Sequence, residues 1–465
     1  MKHLLSGVAL FVLMAGYSAL AVDPGRHSKA PSPGFTVIRG ATLIDGRGGP
    51  PIPDAVIVVE GERIRAVGTS KTVAVPKRAH VIDARGKYVV PELIDCHCHL
   101  EGIGLGDLVD LPPQWQKPDK LKDLIRIDAE LDLLGGITTV RDPGSTDLLF
   151  RVRDEIDSGK IPGPRIFAAG HQLVKKAPDA FMDPLFVEYD GPDDARAKVR
   201  QQVALGADFI KIRLTPERPL PSLEEMRAMV DEAHRLGRRV AVHTWVPADQ
   251  AVQFAIDAGV DSIEHNAPLR SKDPNVLPEM ARRHIGLMTG GGAFYVQRWE
   301  PWEPEDVLDP AARRLYPAEI VALFPKVGEG LRAQTSEMKK QGWSPDQVQA
   351  RFTGEMQRAR QAGVLLLFGT DCGGELMIHG QQYKAIYGET QMGSTPMQAL
   401  LMATRDAARI LGKEKDLGTV ERGKLADLLV VDADPLADLR NLGKVHAVMK
   451  GGRLYLPAEI LEGSK

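Results

Sequence analysis

Asp95-Cys96-His97-Cys98-His99-Leu100 sets two histidines two residues apart at the end of an apolar run. Side chains two apart on a strand share a face. His97 and His99 can therefore aim two imidazoles at one cation, and imidazole is a common ligand for zinc and similar metals. Alone the pair is weak evidence, because two strand histidines often just bond locally. Cys96 and Cys98 are zinc ligands by type, but they alternate with the histidines and so face the other way.

Further polar groups end further apolar runs. Lys211 lies in Ala207-Asp208-Phe209-Ile210-Lys211-Ile212. A lysine among apolar strand neighbours is costly unless paired or modified. His243 closes Val240-Ala241-Val242-His243, His265 closes Ile263-Glu264-His265, and Asp371 closes Phe368-Gly369-Thr370-Asp371. Each taken singly has a structural reading. Taken together, they place chemistry at the same end of several strands.

The elements that must position them alternate in type. Apolar strand candidates fall at 89–97, 137–141, 165–169, 209–214, 240–244, 262–265, 285–289 and 365–370. Helical stretches at 121–134, 193–205, 223–236 and 247–258 separate most of them. Strands alternating with helices imply a parallel sheet, and eight units imply a closed (β/α)8 TIM barrel. An open doubly wound sheet is the alternative. Barrel enzymes place their chemistry where the strands end, so these residues should converge. A polar, helix-rich segment including 299–304 and 332–361 reads as an insertion over that face. Short β runs at 35–68 and 426–455 read as hairpins. They give a small flanking β-sandwich built from both terminal segments, 35–88 and 412–460, around a barrel domain at 89–411.

Composition narrows the partners. With 59 Lys+Arg against 62 Asp+Glu, neither sign dominates, so nothing points to nucleic acid or an anionic membrane. Three cysteines argue against a disulfide framework. Lys2 and His3 precede an apolar run from Leu4 to about Met14, and small residues follow, ending in Ala19-Leu20-Ala21, an A-x-A cleavage pattern. Residues 1–21 therefore read as a signal peptide, and the run is too short for a comfortable transmembrane span. The expected location is periplasmic or secreted, with no stable membrane anchor after cleavage. Self-association stays open.

Four stretches carry a resemblance. They are Gly40-Ala41-Thr42-Leu43-Ile44-Asp45-Gly46, Leu93-Ile94-Asp95-Cys96-His97-Cys98-His99, Thr138-Thr139-Val140-Arg141-Asp142-Pro143-Gly144 and Gly423-Lys424-Leu425-Ala426-Asp427-Leu428. From residue 40 to 453 the chain resembles the amidohydrolase superfamily, in its imidazolonepropionase-like branch with prolidase-type dipeptidases and ochratoxin-type amidases. The resemblance implies two divalent metal ions, zinc by ligand type. His97 and His99 would hold one together with Asp371, and His243 and His265 would hold the other. Lys211 would bridge both as a carbamate formed with CO2. Glu92 departs from the pattern, standing where the family usually has Gly.

That site implies an activated water bridging the metals, with Asp371 shuttling its proton to the leaving amine. Substrate contacts are expected among Arg141, His171, Arg213, Tyr295 and His379, any of which could bind a carboxylate or carbonyl. The expected function is hydrolysis of a dipeptide or N-acyl amino acid. A hydrolase of cyclic amides or lactones is a second reading, and a non-catalytic metal-binding protein a third.

Overall fold

The second strand, Ile52–Glu60, buries five consecutive residues from Ala55 to Val59. Alternate side chains point to opposite faces, so this sheet is covered on both sides. Ile57 and Val59 join one apolar cluster with Ile38, Leu43 and Leu428, while Val56 and Val58 join Val37 in another. The computed structural model describes residues 34–458, apart from 104–110, 178–182, 245–247, 300–307 and 375–376, together with 461. The expected signal peptide at 1–21 lies outside the described residues. Among those described, no helix is long and apolar enough to cross a membrane.

Both terminal segments share one eight-stranded sheet. They meet where Tyr88–Pro91 pairs antiparallel with Leu428–Val431, in register from Tyr88↔Val431 to Val90↔Leu429. The C-terminal side continues through Val445–Lys450 and Arg453–Tyr455. The N-terminal side continues through Phe35–Leu43, Ile52–Glu60 and Arg63–Thr69.

The central strands are all parallel. Leu93–Asp95, Ile137–Asp142 and Arg165–Ala168 form one sheet. Gln172–Lys175, Phe209–Leu214, Arg239–Thr244, Ser262–Glu264, Gly286–Met288 and Leu366–Leu367 run in that order in the other. Hydrogen bonds span both gaps. Asp208 N–H donates to the Ala168 carbonyl at 2.8 Å, and Cys96 N–H donates to the Phe368 carbonyl at 3.1 Å. Helices follow most strands. The one at Leu223–Arg235 starts with a capping box, in which Ser222 and Glu225 satisfy each other's backbone N–H. Between the last two central strands the expected helix-rich insertion contains Phe324–Lys340 and Pro345–Ala362, while 300–304 lie outside the described residues.

Three expectations need correction. The run 89–97 is not one strand. Val89 and Val90 pair in the terminal sheet, whereas Leu93 pairs with Ile137 in the central one. The third strand ends at Ala168, close to the expected 169, but an unexpected strand follows it: the chain turns at Gly170, whose φ of 67° suits a residue without a Cβ, and forms Gln172–Lys175 beside Phe209–Leu214. Phe186–Tyr189 then adds an edge strand. The last strand shrinks from 365–370 to Leu366–Leu367, because beyond it the backbone bonds to the first strand instead: Asp371 N–H donates to the His97 carbonyl at 2.8 Å.

Glu92 sits where the chain passes from one sheet to the other. Its backbone N–H donates to the Asp427 carbonyl at 3.1 Å, and its carboxyl accepts the Gly418 N–H at 2.7 Å. Burial, then the nearby Asp427 carboxylate, push its pKa from 4.5 up to about 8. A carboxyl that holds its proton more tightly when folded stabilises the fold fully below pH 4.5, and that stability is lost as pH rises through about 8. Glu92→Gln should therefore gain melting temperature relative to the wild type as pH climbs through this window. A wild-type-to-variant difference that stays constant with pH would contradict the assignment.

Candidate metal centre

Residues at the ends of the first and last central strands build the first half of the site. His97 Nε2 lies 3.4 Å from Asp371 Oδ1, and His99 Nε2 lies 3.2 Å from the same oxygen. These three side chains bring one ligand atom each within 4.8 Å of the others. The other ring nitrogens are engaged elsewhere. His97 Nδ1 is 2.8 Å from Glu264 Oε2, and His99 Nδ1 is 3.3 Å from the Gly144 carbonyl. Both partners are acceptors, so each Nδ1 carries a proton, and with a cation held beside Asp371 each Nε2 lone pair would be free to bind it. Outward hydrogen bonds of this kind fix the tautomer of metal-binding histidines.

Glu264 is the most heavily engaged group of the site. It is fully buried and accepts from Arg141 Nη2 at 2.7 Å, from Ser262 Oγ at 2.7 Å and from His97. Burial alone would raise its pKa, but the Arg141 guanidinium, the His97 bond and Lys211 hold it well below the usual carboxylate range. Sequence reasoning does not single it out. The available signal is a carboxylate inside a buried strand, which demands partners. Asp95 escapes that reasoning too. It accepts the His97 N–H at 3.0 Å and the Thr370 hydroxyl at 2.5 Å, tying together the two strands that lead to the candidate ligands.

The remaining candidates gather beside this half. The His265 ring centre is 5.0 Å from that of His97 and 4.4 Å from that of His243. Burial depresses both, His265 to about 4 and His243 well below its usual value. Neutral imidazoles are the form that binds metal. Lys211 Nζ is buried with no hydrogen-bond partner. Burial, opposed by Glu264 and reinforced by Arg141 and Arg213, brings its pKa down to about 7. The backbone is strained at two of these positions. Five described non-glycine residues have positive φ, and His265 at 68° and Asp371 at 56° are among them. Such strain persists only where surroundings enforce it, and it concentrates at functional sites.

The expected substrate contacts separate. Arg141 is buried and its guanidinium is spent on protein: Nε donates to the Cys96 carbonyl at 2.5 Å, Nη1 to Ser262 and Nη2 to Glu264. His379 is fully buried, held between Asp132 and the carbonyls of His99 and Gly102. Both are enclosed by the protein groups they bond. His171 lies 3.7 Å from Asp147 on the helix after the second strand. Tyr295 sits on the helix Gly291–Trp299 and packs against the main core. Arg213 is beside His243 in register and its guanidinium lies 5.4 Å from the centre of the Phe186 ring.

These contacts make Glu264 testable. Glu264→Gln should lower zinc affinity by about 10–100-fold, the usual cost of losing an orienting partner. Titration of metal-stripped protein with zinc measures it; unchanged affinity would remove Glu264 from the site.

Known proteins share this framework. The amidohydrolase family pattern matches residues 88–455. Imidazolonepropionase of Shouchella clausii (strain KSM-K16) is 36% identical over 453 residues, covering 87% of this chain and 86% of that protein. The crystal structure of a Xaa-Pro dipeptidase with bound methionine in the active site superposes with a TM-score of 0.72 at 29% identity, over 91% of this chain and 100% of that one. A. niger ochratoxinase shares the fold, with a TM-score of 0.66 at 22% identity over 90% of this chain and 94% of its own. The chain therefore belongs to the amidohydrolase family, whose members use divalent metal ions, and it is a hydrolase acting on carbon–nitrogen bonds with a TIM-barrel-type α/β fold.

Proposed function

We propose that this protein is an exported binuclear amidohydrolase that cleaves the amide bond of a dipeptide or an N-acyl amino acid. The observation that carries the reading is the convergence of His97 Nε2 and His99 Nε2 on Asp371 beside a buried, unpartnered Lys211 amine. His97, His99 and Asp371 would hold one divalent ion, and His243 and His265 the other, with zinc favoured by the nitrogen-rich set. An orphaned buried amine fits a bridging role once it is carboxylated. The neutral amine attacks CO2, forms a C–N bond and releases a proton, leaving an anionic carbamate. In this reading residues 89–411 form a closed (β/α)8 barrel and 35–88 with 412–460 a flanking β-sandwich, and the leader at 1–21 directs export to the periplasm or beyond.

When bound, such a pair of ions supplies an activated water and polarises the scissile carbonyl. The chain's own residues do the rest. The side chains of Asp371 and His99 are 20% and 18% exposed, against 2% for His97, and Asp371 is the one of the exposed pair that is a carboxylate base. It takes the proton of the attacking water and delivers it to the leaving amine. Glu264 and Arg141 keep His97 in the ligating tautomer throughout. Arg213 is the group placed for a free carboxylate. Its Nε is buried without a partner, and a planar guanidinium matches a carboxylate in two parallel bonds. The similar Xaa-Pro dipeptidase structure supports a peptide-like substrate.

Screening zinc-loaded protein against dipeptides and N-acyl amino acids tests the reading. Turnover confined to cyclic amides or lactones would move it to the second class, and metal binding without any turnover would end it. Asp371→Asn should keep much of the bound metal and lose most of the turnover; a fully active variant would exclude the proton shuttle. Arg213→Gln should raise KM for substrates with a free carboxylate and leave their amidated forms unaffected. Equal loss on both forms would contradict carboxylate binding. For Lys211, reactivation of metal-stripped protein should depend on bicarbonate and proceed better above about pH 7 than below it, where the amine is protonated. Bicarbonate-independent reactivation would contradict the carbamate.

A further inference from the structure

The strands that carry the ligands also carry cysteines on their opposite face. Cys98 lies between His97 and His99, and Cys372 follows Asp371. The two cysteines are bridge partners across the first and last strands. Together with His379 they bring one ligand atom each within 4.8 Å of the others. Asp132, on the helix Pro118–Leu134, completes the group. Its Oδ2 lies 3.5 Å from Cys98 Sγ and its Oδ1 lies 2.9 Å from His379 Nδ1. His379 Nδ1 is 4.0 Å from Cys98 Sγ. All four residues are fully buried.

The imidazole presents Nδ1 to the cluster, where it pairs with Asp132. His379 Nε2 is 3.2 Å from the His99 carbonyl and 3.1 Å from the Gly102 carbonyl. Carbonyls only accept, so Nε2 carries the hydrogen and Nδ1 faces Asp132 and Cys98. Asp132 is steadied in turn by the Gly380 N–H at 3.2 Å and by the Gln382 amide. Outer partners that orient each ligand are the mark of metal sites. Zinc bound tetrahedrally at about 2.3 Å to sulfur and about 2.0–2.2 Å to nitrogen or oxygen sets its donors about 3.3–3.8 Å apart. His379 Nδ1 at 2.9 Å from Asp132 Oδ1 and 4.0 Å from Cys98 Sγ, and Cys98 Sγ at 3.5 Å from the other oxygen, Oδ2, lie within about half an ångström of that range.

We propose that Cys98 Sγ, Cys372 Sγ, His379 Nδ1 and a carboxylate oxygen of Asp132 form a thiolate-containing site for one divalent cation of the zinc type, behind the His97, His99 and Asp371 ligands. Binding takes in one cation and releases both thiol protons and any proton on Nδ1. With four protein donors the site is closed, so its role is structural. It pins the first strand to the last directly beneath the residues that face substrate. A proton shared between His379 and Asp132 would satisfy part of the same group, and it is the competing occupant.

Cobalt separates the two. None of His97, His99, Lys211, His243, His265 or Asp371 offers sulfur, so thiolate-to-cobalt charge transfer in the near ultraviolet can come only from this second site. Full-length protein, stripped of metal under reducing conditions and titrated with cobalt, should show that band. Cys98→Val should remove the band and one cobalt equivalent. Absence of the band while both thiols are reduced would overturn the proposal. So would a wild-type mass two hydrogens light, which marks a Cys98–Cys372 disulfide. Should the variant fail to fold, the wild-type spectrum decides alone. Loss of amidase activity on the other face leaves this result untouched, which keeps the two readings distinguishable.

Discussion

A fully buried carboxylate fixes the geometry on which the site depends. Glu264 receives Arg141, Ser262 and His97 at once, with the last contact at 2.8 Å. Removing one partner from such a buried pair leaves an uncompensated charge, which costs about 3–5 kcal/mol. The network is therefore a commitment of the fold and not an optional contact. It links Ile137–Asp142, Ser262–Glu264 and the segment just past Leu93–Asp95, which carry Arg141, Glu264 and His97 in turn. Orientation of His97 follows from it, and so does the direction in which Nε2 points.

A second constraint acts from the last strand. Asp95 accepts from Thr370 and from the backbone of His97, so the candidate ligand Asp371 is locked to the strand that carries both histidines. Gly369 packs there because a Cβ would come within 2.9 Å of the His97 Cβ. The price of this precision is the left-handed backbone at Asp371 and His265. Dense packing around the strand ends over-determines both residues, and a rigid frame around reacting groups is what catalysis by positioning requires.

Much of this is legible in the residues themselves. His97 and His99 announce a shared face through period-two spacing, and Lys211 stands out as a cation within an apolar strand. His243, His265 and Asp371 each close a strand, so parallel topology brings them to one end. Other features depend on tertiary pairing that local patterns do not encode. The apolar run at 89–97 is continuous, and only its partners reveal that it serves two sheets. The strand Gln172–Lys175 is short and half polar, and it hides behind the turn at Gly170. Arg141 and His379 look like loop-side ligand contacts in sequence. Burial turns both inward, onto Glu264 and onto Asp132. Glu264 carries the same type of signal as Lys211, but the histidine next to it draws the chemical reading instead.

Anomalous diffraction at the zinc edge from crystals of the zinc-loaded protein bears most directly on the binuclear centre. The account predicts one peak among His97 Nε2, His99 Nε2 and Asp371, a second beside His243 and His265, and electron density extending Lys211 Nζ between them. Lys211 left as a bare amine, with no zinc within ligand distance of His97 or His265, would contradict it.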